Sequence, residues 1–234
     1  MTSQSGDNEP AQEPVGNQLF PVFLKLNQLH TVLIGGGNVG LEKLTAIINN
    51  SKQAKVTIIA LAILPEVYEL AANYPTITII QKAFNEHDLD EAQLVIAATD
   101  NNELNMQIRL AAKQRNLLIN VADKPALCDF YLGSIVQKGD LKIAISTNGK
   151  SPTVAKRLKE VLNDGLPKEI DTTLQQLSRL RDSLKGDFAY KVKKLNEATS
   201  VLVDRNVAKQ RLKWLAWVGV FILILVIVLI GINL

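Results

Sequence analysis

The sequence predicts an α/β fold built on a parallel β-sheet, and three observations predict it. Short apolar runs rich in β-branched residues recur through the first half of the chain, alternating with stretches at helical spacing. Those runs, Lys55–Ala60 and Leu94–Ala98 among them, are almost continuously apolar, as strands covered on both faces are. The first run, Thr31–Ile34, leads directly into Gly35, Gly37 and Gly40, whose G-x-G-x-x-G spacing fits a dinucleotide-binding turn between strand and helix. Gly35 permits the tight turn, Gly37 lets backbone approach a pyrophosphate, and Gly40 lets the helix pack close to the strand. The amides at the start of that helix favour an anion.

Taken in order, Leu19–Leu26 reads as an initial strand or extended arm before a turn at Asn27-Gln28. Thr31–Ile34 is the first strand of the nucleotide fold. The helix after Gly40 carries Leu41, Leu44, Ile47 and Ile48 on one face and stops near Asn49-Asn50. Lys55–Ala60 is the second strand, Leu64–Asn73 a helix and Thr76–Gln81 the third strand. Leu94–Ala98, the helix Glu103–Arg115 and the strand Leu117–Val121 complete the sheet. Ser134–Gln137 and Leu141–Ser146 then form a hairpin across Lys138-Gly139-Asp140. Ser151 and Pro152 supply an N-cap and a first-turn proline for a helix reaching about Asn163. Glu169–Lys185 and Asp187–Lys209 are two charged helices, the first with Leu174, Leu177, Leu180 and Leu184 along one side.

Composition narrows the chemistry. The chain has 234 residues and a formal net charge of +3, with no basic stripe of the kind that tracks nucleic acid. One cysteine, Cys128, excludes a disulfide framework within the chain. Two histidines, His30 and His87, leave few ligands for a transition metal, and no metal site is expected. The ends differ from the middle. Residues 1–16 are polar and read as a disordered leader, without the hydrophobic region of a signal peptide. Trp214–Leu234 carries no charge, and a helix of that length rises roughly 30 Å, enough to cross a bilayer. Trp214 and Trp217 follow Lys209, Arg211 and Lys213, which predicts a single-pass C-terminal membrane helix with the preceding chain in the cytoplasm.

One expected part is absent. Dinucleotide folds commonly place an acid roughly twenty residues beyond the glycines to bind the ribose. Here the second strand runs into Ile59-Ala60-Leu61-Ala62. Either backbone groups hold the ribose or the dinucleotide reading fails.

Two later stretches, Asn120-Val-Ala-Asp-Lys-Pro-Ala-Leu-Cys-Asp-Phe130 and Ile143-Ala-Ile-Ser-Thr-Asn-Gly-Lys-Ser-Pro152, join the glycine turn as three signatures in order. Together they resemble the precorrin-2 dehydrogenase/sirohydrochlorin ferrochelatase family, the N-terminal module of siroheme synthase, over about residues 18 to 205. The resemblance implies a Rossmann-like parallel sheet, a small β segment used for dimerisation and a helical domain. The expected boundaries are 1–16 for the leader, 17–122 for the NAD-binding domain, 123–150 for the β segment, 151–209 for the helical domain and 213–233 for the membrane helix.

The resemblance also implies NAD-dependent oxidation of precorrin-2 to sirohydrochlorin, in some members followed by insertion of ferrous iron, and a homodimer. NAD would be held by Gly35, Gly37, Asn38, Val39 and Gly40 and by the backbone at Leu61 and Ala62, without a ribose acid. Asp123 matches the family's important aspartate. Dehydrogenation and metal insertion both release protons, so one carboxylate could serve both. Read without the family, Asp123 merely shapes an Asp-Lys-Pro turn. Thr147 matches a position near the substrate, and the loop with Asn148, Lys150 and Ser151 offers donors to an anion. Lys124, Lys142, Lys156 and Arg157 could add attraction for a polycarboxylate. Leu132-Gly-Ser134 departs from the family's usual Phe-Pro-Ala. The rival reading is a membrane-tethered dinucleotide-sensing regulatory module, which would need neither Asp123 nor Thr147.

Overall fold

The alternation of apolar runs and helical stretches resolves into five strands of one sheet. The structure, a computed structural model, describes residues 16–200. The first half holds β1 (His30–Gly36), α1 (Asn38–Asn50), β2 (Lys55–Ile63), α2 (Pro65–Ala71), β3 (Ile77–Gln81), β4 (Leu94–Ala97), α3 (Asn102–Gln114) and β5 (Leu118–Val121). After it come β6 (Ser134–Lys138), β7 (Leu141–Ile145), α4 (Pro152–Gly165), α5 (Ile170–Ser183) and α6 (Phe188–Ala198). The large sheet has the order β3-β2-β1-β4-β5 with every pairing parallel, the Rossmann-like arrangement expected. β6 and β7 make a separate two-stranded sheet.

Strand periodicity divides the core into two layers. On β1, Val32 and Ile34 point to one side and pack with Ile108, Ala111 and Ala112 of α3. Leu33 points to the other and packs with Leu44, Ile47 and Ile48 of α1 and Val67 of α2. The register sets Ile34 between Ile59 of β2 and Ala97 of β4, so the centre of the sheet is aliphatic on both faces. This is why those runs carry no polar alternation. Leu41 lies only partly buried at the rim of the α1 face, and Gly40 takes the buried position instead.

Several local expectations are refined. β2 continues to Ile63 because the β1–β2 register shifts at the glycines, pairing Gly36 with Ile63. Leu19–Leu26 joins no strand, and Leu26 already lies in the turn before β1. The segment's apolar side chains are largely exposed, and the Leu26 carbonyl accepts from the Lys55 N–H at 3.2 Å. The cap of α4 is as expected, with Ser151 Oγ accepting from the Val154 N–H at 3.2 Å. Asp187 caps α6 in the same way, at 2.8 Å to the Tyr190 N–H.

The chain divides into two compact units. Among the described residues, one gathers the chain up to Val136 with Ile143–Asp164; the other gathers Gln137–Lys142 with residues 165–200. In the second unit, Asp171 of α5 accepts from the Asp140 N–H at the hairpin tip at 2.7 Å and fills the space beside Gly139 (φ +56°). No residue of α5 or α6 is fully buried.

The membrane localisation expected from the sequence is corrected here. Among the described residues no helix is long and apolar enough to cross a membrane. The last two, α5 and α6, have 14 and 11 residues with charges throughout, whereas a spanning helix needs about 20 apolar ones. Residues 213–233, on which the expectation rested, lie outside the described residues, as do residues 1–15 of the expected leader.

Candidate functional site

The order β3-β2-β1-β4-β5 reverses direction between β1 and β4, and ligands of such sheets bind at the carboxyl ends of the strands flanking that point. The glycine turn sits there. Gly35 has φ +121°, and a Cβ on it would lie 2.3 Å from the Ala98 carbonyl oxygen. Only glycine fits both the conformation and the space. A Cβ on Gly40 would lie 2.2 Å from the Gly35 carbonyl oxygen, so α1 rests directly on the end of β1. Gly37 differs. Nothing lies within 4 Å of its Cβ position, leaving an open approach to the backbone at the start of α1.

No side chain caps α1 at Gly37, and its first turn holds no acid. Leu41 N–H bonds back to the Gly37 carbonyl at 2.9 Å, while the first amides, at Asn38, Val39 and Gly40, are those a helix leaves without an internal partner. Asn38 is exposed and Val39 half-buried. An anion fits here on geometry and on the sign of the helix dipole. These residues fit the pyrophosphate of a dinucleotide.

The end of β2 borders the turn. Leu64 N–H donates to the Gly36 carbonyl at 2.9 Å, and a Cβ on Gly36 would meet the Ala62 carbonyl oxygen at 2.7 Å. Gly36 is therefore constrained by space, though not by conformation as Gly35 is, a role that the motif spacing does not reveal. Leu61 and Ala62 are exposed beside it, Leu61 to 73%. No acid stands in this segment.

Across the switch point, the loop after β4 is fixed by a pair, half-buried Thr99 and buried Asn105, that sequence reasoning missed. Thr99 Oγ1 donates to Asn105 Oδ1 at 2.8 Å, and Asn105 Nδ2 donates to the Thr99 carbonyl at 3.1 Å. Asn105 is almost fully buried, where an unpaired amide would be costly. Asn101 caps α3 by accepting from the Leu104 N–H at 3.0 Å. A cluster of Thr, Asp and Asn directly after a buried strand was the available signal.

Asp123 lies two residues beyond β5, exposed, with φ +57°. Few non-glycine residues adopt that conformation, aspartate and asparagine most readily. The turn is closed by Lys124 N–H to the Val121 carbonyl at 3.3 Å. Beyond it, Cys128 and Asp129 return along β5. Val121 N–H donates to Cys128 Sγ, and Cys128 Sγ donates to the Val121 carbonyl, both at 3.2 Å. Asp129 N–H donates to the Ile119 carbonyl at 2.8 Å, and Ile119 N–H donates to Asp129 Oδ2 at 3.1 Å. Burial pushes the Cys128 thiol above its ordinary pKa, which suits a structural sulfur and not a nucleophile. The Arg109 guanidinium is ion-paired with Asp129 and holds that carboxyl below the usual range; Asp129 in turn raises Arg109.

The third signature forms the loop before α4. Thr147 Oγ1 donates to the Ser151 carbonyl at 3.1 Å and accepts from the Ser151 N–H at 3.2 Å, so this hydroxyl closes the loop on itself. Asn148 (φ +53°) and Gly149 (φ +73°) are both left-handed, and Lys150 N–H donates to the Thr147 carbonyl at 3.0 Å. Asn148 and Lys150 are exposed at the tip; the Ser151 hydroxyl is used as the helix cap.

The two histidines take structural positions. His30 opens β1, with Nε2 at 2.8 Å from Thr57 Oγ1 and Nδ1 at 3.0 Å from the Glu91 carbonyl oxygen. His87 lies in a short helical turn with Nδ1 at 3.1 Å from Asp90. Among the described residues no group of three or more His, Cys, Asp or Glu side chains is placed to hold a metal.

Comparison with known proteins places this geometry. Residues 22–134 match a family described as putative NAD(P)-binding, and residues 138–164 match one described as sirohaem biosynthesis protein central. Siroheme synthase of Citrobacter koseri is 34% identical over 170 residues, covering 73% of this chain. That of Pseudoalteromonas translucida is 34% identical over 173 residues, covering 74%. The chain spans 36% of the length of each of these relatives. A solved structure of SirC, a precorrin-2 dehydrogenase, shares the fold with a TM-score of 0.63 at 24% identity, covering 76% of this chain and 88% of that one. The two matched families, the siroheme synthase relatives and the shared fold agree with the resemblance carried by the three signatures: the chain is similar to siroheme synthase over about three quarters of its own length, through an NAD(P)-binding region followed by a sirohaem biosynthesis central region.

Proposed function

We propose that this chain oxidises precorrin-2 to sirohydrochlorin with NAD. The observation that carries the reading is the glycine turn, where Gly35, Gly36 and Gly40 are sterically forced and Gly37 alone is open. Bound there, the nicotinamide cofactor supplies the hydride acceptor. The relatives' names support the tetrapyrrole as substrate.

Asp123 takes the proton that accompanies hydride loss. Its left-handed backbone sets the carboxylate at the carboxyl end of β5, on the ligand side of the sheet, exposed to an incoming substrate. The tip at Asn148 and Lys150 offers a donor and a cation to the substrate's carboxylates. Thr147 and Ser151 shape that tip, since their hydroxyls are already committed. Insertion of ferrous iron into sirohydrochlorin, with iron as a substrate, is a second step for Asp123, because it too releases protons. Homodimerisation is the matching assembly, supported by the apolar residues that α4 and α6 leave exposed, among them Val154, Leu158, Val161 and Phe188.

Purified protein given precorrin-2 and NAD should yield NADH and the absorption of sirohydrochlorin. Asp123→Asn should lower turnover at least tenfold, about 1.4 kcal/mol in the barrier, with NAD affinity nearly unchanged. Equal loss of both would make Asp123 a turn-shaping residue. NAD binding by a folded protein without tetrapyrrole turnover would instead favour a dinucleotide-sensing module.

A further inference from the structure

The end of β2 holds a side-chain network that answers the missing acid. Gln81, the last residue of β3, donates through Nε2 to the Leu61 carbonyl at 3.1 Å. Tyr68 of α2 donates its hydroxyl to Gln81 Oε1 at 3.2 Å. Both side chains are exposed, on the rim that Leu61 and Ala62 share with the glycine turn. A ribose attached to a pyrophosphate at the turn reaches the end of β2, where dinucleotide folds commonly present their acid.

A primary amide has two donor hydrogens and two acceptor lone pairs. Gln81 spends one of each on Leu61 and Tyr68, which fixes its orientation. One donor and one acceptor remain for the ribose hydroxyls. The platform is also neutral. Ala60–Leu64 contains no charged residue, and the next residue after Gln81, Lys82, is paired with Asp88 at 2.5 Å. A carboxylate here would repel a 2′-phosphate, and an uncommitted guanidinium would attract one; this rim presents neither of those groups.

Resting on the dinucleotide reading proposed above, we infer that Gln81, oriented by Tyr68 and the Leu61 carbonyl, reads the adenosine ribose in place of an acid, so that the site binds NAD and NADP with affinities within tenfold of each other. The family description, NAD(P)-binding, is neutral between the two cofactors. The lack of discrimination is thereby a property of the neutral end of β2 and of Gln81, outside the glycine motif.

Calorimetric titration of the full chain with NAD and with NADP, without tetrapyrrole, tests this. The wild type should show dissociation constants within tenfold. Leu61→Asp, at a side chain already in solvent, should weaken NADP at least tenfold more than NAD. Gln81→Glu should act in the same direction, and Gln81→Leu should weaken both cofactors about threefold or more. Thermal melting of each variant keeps a folding defect separate from a binding one. A wild-type preference beyond tenfold for either cofactor overturns the inference while leaving the dehydrogenase reading standing. Equal losses for both cofactors in Leu61→Asp overturn it as well. Binding of neither cofactor by the folded wild type overturns the dinucleotide reading and this inference together.

Discussion

The parallel-sheet region and the α5–α6 region are built on opposite terms. In the sheet, Val32, Leu33, Leu44, Ile58 and Ile108 are essentially inaccessible, and two helical layers close over one set of strands. In α5 and α6 no residue is buried, although Leu174, Leu177, Leu180 and Leu184 repeat along one side of the first. Helical apolar stripes thus meet different burial, that of α1 buried against the sheet and that of α5 not. The sheet satisfies its own faces within one chain, whereas the leucine stripe is left half-buried with Leu180 exposed, and a second copy in the proposed homodimer would cover it further.

The sharpest way to break this comparison is truncation in each region. Leu44→Ala should destabilise the fold by about 2–5 kcal/mol in denaturant unfolding, from lost burial and a residual cavity. Leu180→Ala, at a side chain 38% exposed, should cost less than about 1 kcal/mol when measured on dilute monomer. Similar costs would mean that the leucine stripe is covered. A rise in the Leu180 cost with protein concentration would identify the cover as a second copy.

Within the glycine turn the comparison becomes one of stability against binding. Gly35→Ala forces a Cβ against the Ala98 carbonyl at a left-handed backbone position, so both melting temperature and NAD affinity should fall. Gly37→Ala meets open space at φ −85°, an ordinary value for alanine. It should leave unfolding free energy within about 1 kcal/mol of wild type while weakening NAD roughly tenfold. Loss of stability in both variants would remove the distinction between structural and ligand-facing glycines.

The smallest effect lies at Asp129. Its folded pKa is held below the unfolded value, chiefly by Arg109, so its contribution is present above the unfolded pKa of about 3.9 and disappears as pH falls through the folded value. Asp129→Asn should cost no more than about 1 kcal/mol through the lost ion pair at neutral pH. The gap between variant and wild type should close below about pH 4 in a series of urea titrations. A gap independent of pH would assign the effect to the hydrogen bond from Ile119 alone.

Much of the sheet was legible because its signal is local. β-branched runs and glycine spacing report on a few neighbouring residues, and the structure follows them closely at Thr31–Ile34 and Leu94–Ala97. What escaped depends on partners distant in sequence. Gly36 is constrained by Ala62, Gln81 by Leu61 and Tyr68, and Arg109 by Asp129; no periodicity encodes such pairs. The Thr99–Asn105 pair is closer in sequence but still needs the fold to bury it. One local signal was there to be read. Asn85 and Asp88 form a reciprocal capping box, with the Asn85 side chain accepting from His87 N–H and Asp88 accepting from Asn85 N–H. Asp123 and Thr147 are candidates through the resemblance alone, since neither stands out by residue type.

The return of Cys128 and Asp129 along β5 has a consequence for the whole sheet. β5 is its last strand, and an open edge strand is a template for pairing with another chain. The N–H and carbonyl of Ile119 and of Val121 are all engaged by those two residues, partly through a thiol and a carboxylate in place of backbone. Two side chains thus imitate a sixth strand and blunt the edge against aggregation. The connection between Asp123 and this seal is only a few residues long, so the loop at Asp123 cannot easily be rebuilt without also exposing the sheet.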